Sequence, residues 1–158
     1  MARDDTAPGF TDAELAAQPV GYWTRAANDA VISYINARMG EFGIAQRHWW
    51  ALFQVGRATD GLTTGELVEL MRRIRPYVDA PSVEPAVAEL VERALLVRDT
   101  TGRLTLTDSG AALRDRVQLL VQENRARIHA GIPDEDYVTT VKVLRRMIEN
   151  VGGNAEFH

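Results

Sequence analysis

Residues 95–107, LLVRDTTGRLTLT, constrain the fold more than any other stretch of this sequence. Apolar and polar side chains alternate on both sides of a glycine-containing turn, so that Leu104 and Leu106 face one way and Arg103 and Thr105 the other. This period of two is typical of a half-buried β-hairpin. The other periodic segments have helical spacing, so the sequence predicts a mainly helical protein that contains one small hairpin.

Helices are predicted on both sides of the hairpin. Capping boxes at Thr11–Glu14 and Thr63–Glu66 predict two helix starts, and Ser82 is a plausible N-cap for the helix that directly precedes the hairpin. Apolar residues recur at helical spacing in six longer segments, namely residues 20–39, 46–57, 63–76, 83–94, 107–128 and 137–151. A short helical turn at residues 11–14 comes before all of them.

This order of elements predicts a mainly α fold with a small β-wing. A helix-turn-helix followed by a two-stranded wing is a winged helix-turn-helix lobe, which we assign to residues 58–107 of a single domain. The terminal helices, in residues 11–57 and 108–151, have apolar stripes too wide for a small winged core to cover. We therefore expect them to form a dimerisation frame around a two-fold axis, with residues 152–158 as a frayed tail.

Composition excludes several classes of protein. The 158 residues contain no cysteine, so disulfides and thiolate metal sites are ruled out, and the three histidines lie too far apart to suggest a metal pair. No apolar run approaches the length of a membrane span, and the first ten residues are polar and acidic. The expectation is a soluble cytoplasmic protein without a cofactor or metal.

The helix over residues 81–93, PSVEPAVAELVER, occupies the position of a recognition helix. Its apolar positions form a core-facing stripe. Its other face carries three carboxylates and no amide or guanidinium: Glu84, Pro85, Ala88, Glu89 and Glu92. Base edges are contacted mostly by Arg, Lys, Asn and Gln, so this face is a poor one for sequence-specific contacts.

Arginines around this helix are the candidate DNA contacts. We expect three arginines of the preceding helix and two at the wing to bind phosphates: Arg72, Arg73, Arg75, Arg98 and Arg103. Ser82 and Glu84, in the first turn of the recognition helix, are expected to contact bases. The alternative is that these arginines are solvated or paired with neighbouring carboxylates. Residues 61–106 contain six Arg and seven acidic residues, a net charge of about −1 that disfavours binding to a polyanion.

Aromatic residues are concentrated in the first two long helices, which hold all three tryptophans. Together with nearby polar groups they are the candidate ligand-binding residues: Tyr22, Trp23, Arg25, His48, Trp49 and Phe53. The alternative is that the aromatics are dimer and domain core, with the polar groups at its rim. Because the sequence has no nucleophile elbow, metal cluster or phosphate loop, we do not expect an enzyme.

Several stretches resemble the MarR family of bacterial transcription regulators. The match covers roughly residues 15–151 and depends on the order of four loose motifs: GIAQRHWWALFQV; LTTGELVELM; AELVERALLVRD with RLTLTDSG; and GIPDEDYVTTVKVLRRMIENV. They resemble, in turn, the family's second helix, the first helix of its helix-turn-helix, the run from recognition helix through wing, and the C-terminal dimerisation helix.

The resemblance implies a homodimer that places two recognition helices in successive major grooves of a DNA operator. It also implies a small-molecule pocket between the dimer frame and the DNA-binding lobe. The sequence departs from the family pattern on the DNA side. The RRIRPYVDAPS segment is long, the DTTG wing is short, and Glu84, Pro85 and Glu89 align with positions that often hold a hydroxyl or Arg.

Two functional hypotheses follow from the sequence. The first is a dimeric MarR-type regulator that binds an operator and releases it when a small aromatic or anionic molecule binds. The second is a protein with the MarR fold that no longer recognises DNA and works as a small-molecule binder or, with less support, as an enzyme that uses the cavity between frame and lobe.

Overall fold

The computed structural model describes residues 9–77 and 82–157. In chain order the elements are α1 (Asp12–Ala16), α2 (Val20–Gly40), α3 (Gln46–Arg57), β1 (Leu62–Thr63), α4 (Thr64–Ile74), α5 (Val83–Glu92), β2 (Leu96–Arg98), β3 (Arg103–Leu106), α6 (Asp108–Ile128) and α7 (Asp134–Asn150). The predicted mainly α fold with a small wing is confirmed. The chain divides into two compact units, residues 9–34 and 35–157 in the described part, which we describe separately.

Threonine side chains cap the N-termini of three helices. The Thr11 and Thr63 hydroxyls accept from the N–H groups of Glu14 and Glu66, whose carboxylates bond back, so both predicted capping boxes are confirmed. Thr107 caps α6 by accepting from the Gly110 N–H at 3.0 Å. Ser82 precedes α5 as predicted, but its backbone is already helical and its side chain makes no capping hydrogen bond to this helix.

The unit of residues 9–34 contains α1 and the first part of α2, and none of its residues is buried. Several large apolar side chains are exposed in it: Phe10, Leu15, Val20, Tyr22 and Trp23. The unit therefore has no core of its own, which is the condition expected of a segment that packs against another surface.

The larger unit has its main hydrophobic core where three helices meet the sheet. Leu52 of α3, Leu67 of α4 and Leu90 of α5 are fully buried there together with Leu104 of β3. Burial of one such side chain contributes about 1.5–3 kcal/mol. This cluster holds α5 against α3 and α4, so it fixes which face of the predicted recognition helix points outward.

A second cluster joins the end of α2 to α3 and α6. It contains Met39, Ile44 and Trp49 with Val117 and Leu120. The Trp49 ring lies 5.2 Å from the Phe53 ring, a tilted aromatic pair. The two clusters share Trp50 and Leu113 as partly buried neighbours, so α3 is the element that lies between them.

The predicted hairpin is confirmed, and a third strand joins it. β3 pairs antiparallel with β2, with Val97 opposite Thr105, and on its other edge with β1, where Leu62 lies opposite Leu104. The strand order is β1-β3-β2. The sequence did not indicate β1 because a strand of two residues is too short to show alternation.

Helix α7 has no buried residue in the single chain. Residues 152–157, predicted to be frayed, pack back against α7: the Gly153 N–H donates to the Ile148 carbonyl at 2.9 Å. Among the described helices, none combines the length and apolarity that a membrane span requires.

The glycine of the RLTLTDSG motif has a packing role that leads to a prediction. A Cβ at Gly110 would overlap the Leu95 carbonyl oxygen, which is backbone and has little freedom to move. We expect Gly110→Ala to lower the free energy of unfolding by about 3 kcal/mol, because α6 has to shift away from the hairpin. Urea unfolding followed by circular dichroism measures this change.

Gly65 provides the matched control. It also lies in the first turn of a helix, but a Cβ there would meet only the Thr63 hydroxyl at 4.0 Å. Gly65→Ala should therefore raise the stability by about 0.5–1 kcal/mol. Equal stability of the two variants would contradict the close approach of α6 to Leu95.

Candidate nucleic-acid interface and ligand cleft

Helix α5 presents a distinct inner and outer face. Its inner face is buried in the main core through Val83, Ala86, Val87 and Leu90. Pro85 is the third residue of the helix, where the missing N–H interrupts no helical hydrogen bond. The exposed residues of the outer face are Glu84, Pro85, Ala88 and Glu92.

Glu89, which the sequence placed on the same face, is half-exposed at its edge, and its carboxylate is bound by α3. The buried His48 of α3 accepts from the Ala45 backbone N–H at 2.9 Å through Nδ1, which leaves the proton on Nε2. Nε2 lies 2.5 Å from the Glu89 carboxylate, and Arg47 approaches the other carboxylate oxygen at 3.5 Å. The hydrogen bond from His48 is the main cause that lowers the pKa of Glu89.

A second polar contact holds the same side of α5. Arg93 follows the last residue of the helix, and its guanidinium donates to the Gly43 carbonyl at 2.8 Å. Gly43 lies in the turn between α2 and α3, close to Ala45 in sequence. The beginning of α3 is therefore joined to α5 by an arginine and by the His48–Glu89 pair, and both contacts fix the rotation of α5 about its axis.

The wing is a tight turn built around Asp99. One carboxylate oxygen accepts from the hydroxyl and backbone N–H of Thr101 and from the backbone N–H of Arg103, at 2.7, 2.8 and 2.9 Å. The Thr101 hydroxyl is the largest cause that lowers the pKa of Asp99. Arg98 precedes this turn, is exposed, and makes no ion pair in the described residues.

Arg103 is engaged by the protein itself. Its guanidinium donates to the Gly61 carbonyl at 3.0 Å and lies 3.4 Å from Glu66. The pKa of Glu66 is lowered chiefly by the hydrogen bond from the Thr63 backbone N–H, and also by the charge of Arg103. Arg103 thus connects the wing to the start of α4, and its removal would disturb the fold as well as any DNA contact.

The other candidate cations differ in how they are placed. Arg72 lies 3.5 Å from Glu69, and Arg75 donates to the Ile74 carbonyl at 2.8 Å. Arg73 is exposed and forms no ion pair within residues 9–77 and 82–157. Glu84 and Glu92 likewise have no ion pair in that part of the chain, so exposed guanidiniums such as Arg73 and Arg98 and exposed carboxylates occur together on the lobe.

The six candidate ligand residues are divided between the two units. In residues 9–34, Tyr22 is 76% exposed, the Trp23 indole donates to Gln18 at 2.6 Å, and Arg25 pairs with Asp29 at 3.7 Å. In the larger unit both His48 and Trp49 are buried. His48 is held by its hydrogen bonds with Ala45 and Glu89, and Trp49 packs in the core beside Phe53.

Phe53 lines an open cleft between α3 and α4 with a volume of about 580 Å³. Its walls are mostly apolar, and its polar groups come from Gln54, Arg57 and Arg75; the lining residues are Phe53, Gln54, Arg57, Ala58, Leu62, Leu70, Ile74 and Arg75. The Arg57 guanidinium lies 5.5 Å from the centre of the Phe53 ring. The sequence analysis missed Arg57, although its i, i+4 spacing from Phe53 places both on one helix face.

The searched part of the chain offers no metal site. Across residues 9–77 and 82–157, no three His, Asp or Glu side chains are grouped so that they could hold a metal ion. The cleft beside Phe53 offers apolar walls and guanidinium donors, a combination common in ligand sites.

Solved structures give the comparison for this arrangement. No protein-family model matches the sequence, and no curated protein matches it either. The structure is similar to a MarR-family transcriptional regulator of Rhodococcus sp. RHA1, with a TM-score of 0.63, 24% identity, and coverage of 84% of this chain and 91% of that one. The chain has the MarR-type winged-helix fold.

Two further structures with the MarR-type fold were solved with bound molecules. The MarR family protein Rv2887 of Mycobacterium tuberculosis, in complex with DNA, has a TM-score of 0.61 and 20% identity, and the match covers 86% of this chain and 99% of that one. CouR of Rhodococcus jostii RHA1, bound to p-coumaroyl-CoA, has a TM-score of 0.63 and 24% identity over 85% and 92% of the two chains. At these identities the likeness establishes the fold.

The contact between α3 and α5 leads to a second prediction. We expect His48→Ala to lower the free energy of unfolding by about 1–3 kcal/mol, because the Ala45 N–H loses its partner and a buried ring is removed. Chemical denaturation at neutral pH measures the loss. Arg47→Ala, which removes only the exposed partner of Glu89, is the control and should leave the stability unchanged. A His48→Ala protein as stable as the unsubstituted chain would rule out the structural role of His48.

Proposed function

We propose that this protein is a dimeric, ligand-responsive transcription regulator of the MarR type. The observation that carries the proposal is the placement of α5: its apolar face is buried in a winged lobe, and its other face is open beside the wing. In this proposal residues 58–107 form the DNA-binding lobe, and residues 11–57 and 108–151 form the frame. Rv2887, a protein with the same fold, is found in complex with DNA.

The proposed DNA contacts are few. Arg73 and Arg98, together with Arg75, supply positive charge for phosphates, and Glu84 in the first turn of α5 is able to accept from a cytosine amino group. Since Glu84 and Glu92 oppose the phosphates, we expect modest affinity with a steep dependence on salt. The contacts of Glu89 with His48 and Arg47 support the proposal because they partly compensate the charge of one carboxylate at the edge of that surface.

Dimerisation is supported by the apolar surface that the single chain leaves uncovered. Apolar side chains of α7 are between 37% and 46% exposed along much of its length: Tyr137, Val138, Val141, Val143 and Met147. The unit of residues 9–34 also exposes large apolar side chains. A two-fold interface between terminal segments would bury both sets, and a patch of this kind is typical of an association surface.

Ligand binding is supported by the cleft between α3 and α4. Its apolar walls suit an aromatic group, and Arg57 and Gln54 at its edge suit an anionic or polar group. CouR, of the same fold, is bound to p-coumaroyl-CoA, a molecule that carries both kinds of group. A ligand in the cleft would contact α4 directly, and α4 packs against α5 in the main core.

The second candidate function is a protein with the same fold that no longer recognises DNA and binds a small molecule, or uses it as a substrate. It is favoured by one observation: the exposed face of α5 has Glu84 and Glu92 but no amide or guanidinium. The two candidates differ in whether the protein binds its own upstream DNA.

Arg98→Ala tests the regulator hypothesis. With the duplex upstream of the protein's own gene, fluorescence anisotropy should show binding that weakens steeply with salt. The variant should bind every duplex more weakly and lower the salt slope by about 1, because one phosphate contact is lost. Arg127→Ala, an exposed arginine at the end of α6, is the control and should keep the slope.

The same titration decides between the two candidates. Absence of specific binding at micromolar protein and low salt would favour the small-molecule candidate, and an Arg98→Ala variant that binds DNA unchanged would remove the wing from the interface. Arg103 is unsuitable for this test because its substitution also breaks the contact with Gly61 and Glu66.

The cleft is tested with benzoate and its uncharged counterpart benzamide. Titration followed by NMR should show shifts at Phe53 and Leu70, which line the cleft. Arg57→Ala should lower the affinity for benzoate by about fivefold, a loss typical of one exposed charge-assisted contact. The affinity for benzamide should not change. Equal weakening of both probes would mean that Arg57 shapes the cleft without recognising an anion.

A further inference from the structure

Helix α7 is attached to the rest of its unit near its two ends. At its start the Tyr137 ring lies 4.3 Å from the His129 ring, and the Arg125 guanidinium lies 5.7 Å from the same tyrosine. Beyond its end, residues 152–157 return to contact Tyr77. Between these two attachments the helix has no buried residue and exposes its apolar side chains.

The second attachment consists of Tyr77, Asn154 and Phe157, which we name the tail clasp. The Tyr77 hydroxyl donates to the Asn154 carbonyl at 2.8 Å. The Phe157 ring meets the Tyr77 ring edge to face, with centroids 5.8 Å apart and planes at 82°. One side chain is thus held by a polar and an aromatic contact with the same short segment.

The tail is shaped to make these contacts. The Gly153 N–H donates to Ile148, the Glu156 N–H donates to the Asn154 side chain at 2.9 Å, and a Cβ at Gly153 would stand 2.8 Å from the Ile148 side chain. These bonds turn the chain back along the last turn of α7. The tail and α7 together line a cavity of about 650 Å³, whose walls include Val141, Ile148 and Phe157.

Tyr77 belongs to the winged lobe. It comes three residues after α4, whose Leu67 and Met71 are buried in the same core as Val87 and Leu90 of α5. A force on Tyr77 therefore acts on the end of α4, and packed α4 and α5 move together because close-packed cores deform little. The tail clasp therefore connects the segment that follows α7 to the segment that follows α4.

We propose that the tail clasp couples dimerisation through α7 to the position of the helix-turn-helix. This inference rests on the proposed function, in which α7 is the dimer interface. A second copy that covers Val141 and the cavity wall changes the surroundings of Phe157, and Phe157 holds Tyr77. Because coupling between two sites is reciprocal, a helix-turn-helix fixed on DNA would in turn favour the dimer.

The test is a double-mutant cycle that uses hydrogen exchange at residues 83–92 as its readout. Val141→Glu places a charge on the exposed face of α7 and should give a monomer, which sedimentation measures directly. In the otherwise unsubstituted chain, loss of the dimer should raise exchange of the α5 amides by at least about fivefold, the lower end of allosteric effects. In the Tyr77→Ala background, Val141→Glu should change the exchange rate of the α5 amides little.

Two further variants separate the parts of the clasp. Tyr77→Phe keeps the ring and removes the hydrogen bond to Asn154, so it should retain part of the coupling, and Phe157→Ala should behave like Tyr77→Ala. Val97→Ala is the control, since Val97 is 50% exposed on β2 and belongs neither to the clasp nor to the proposed dimer interface. It should leave the response of α5 to Val141→Glu intact.

The possible failures are distinguishable. If Val141→Glu raises α5 exchange equally with and without Tyr77, the clasp transmits nothing and the inference is wrong, although dimerisation through α7 stands. If the unsubstituted chain is a monomer, or if Val141→Glu leaves the dimer intact, α7 is not the interface, and both the dimer in the proposed function and this inference are overturned.

Discussion

The burial of one face of α5 is the constraint on which the rest of the structure depends. Val83, Val87 and Leu90 share a single core with α3, α4 and Leu104 of the hairpin. A helix of ten residues has limited surface, so committing one side to this core determines which residues remain for other contacts. The position of the wing, the course of α4 and the outward direction of Glu84 follow from that packing.

Polar contacts then decide what the remaining surface of α5 is able to do. The Ala45 N–H orients the His48 ring, which forms a hydrogen bond with Glu89. Arg93 donates to the Gly43 carbonyl, so one side of α5 is bound to the beginning of α3 and the turn before it. Arg103 is committed in the same way to Gly61 and Glu66. In the proposed regulator, the cations that remain exposed, Arg73 and Arg98 among them, would supply the phosphate contacts.

The terminal segments of the single chain leave large apolar side chains exposed, and the proposed dimer would cover them. Helix α7 has an apolar stripe with coiled-coil-like spacing, yet none of its residues is buried. The contacts of Tyr137 with His129 and of Tyr77 with the tail hold the two ends of the helix and leave the stripe accessible. In the proposed dimer, these attachments would connect the interface on α7 to the winged lobe.

The sequence by itself determined the order and type of the elements, because helical spacing, two capping boxes and one alternating hairpin are local properties. It also indicated which face of α5 is apolar. Only the tertiary structure decided the partners of the polar groups: that Glu89 meets His48 across 41 residues, that β1 joins the hairpin, that Arg57 lines a cleft and that the tail returns to Tyr77. Such pairings depend on how distant segments are brought together, and a local pattern carries no record of the distance between side chains that are far apart in the chain.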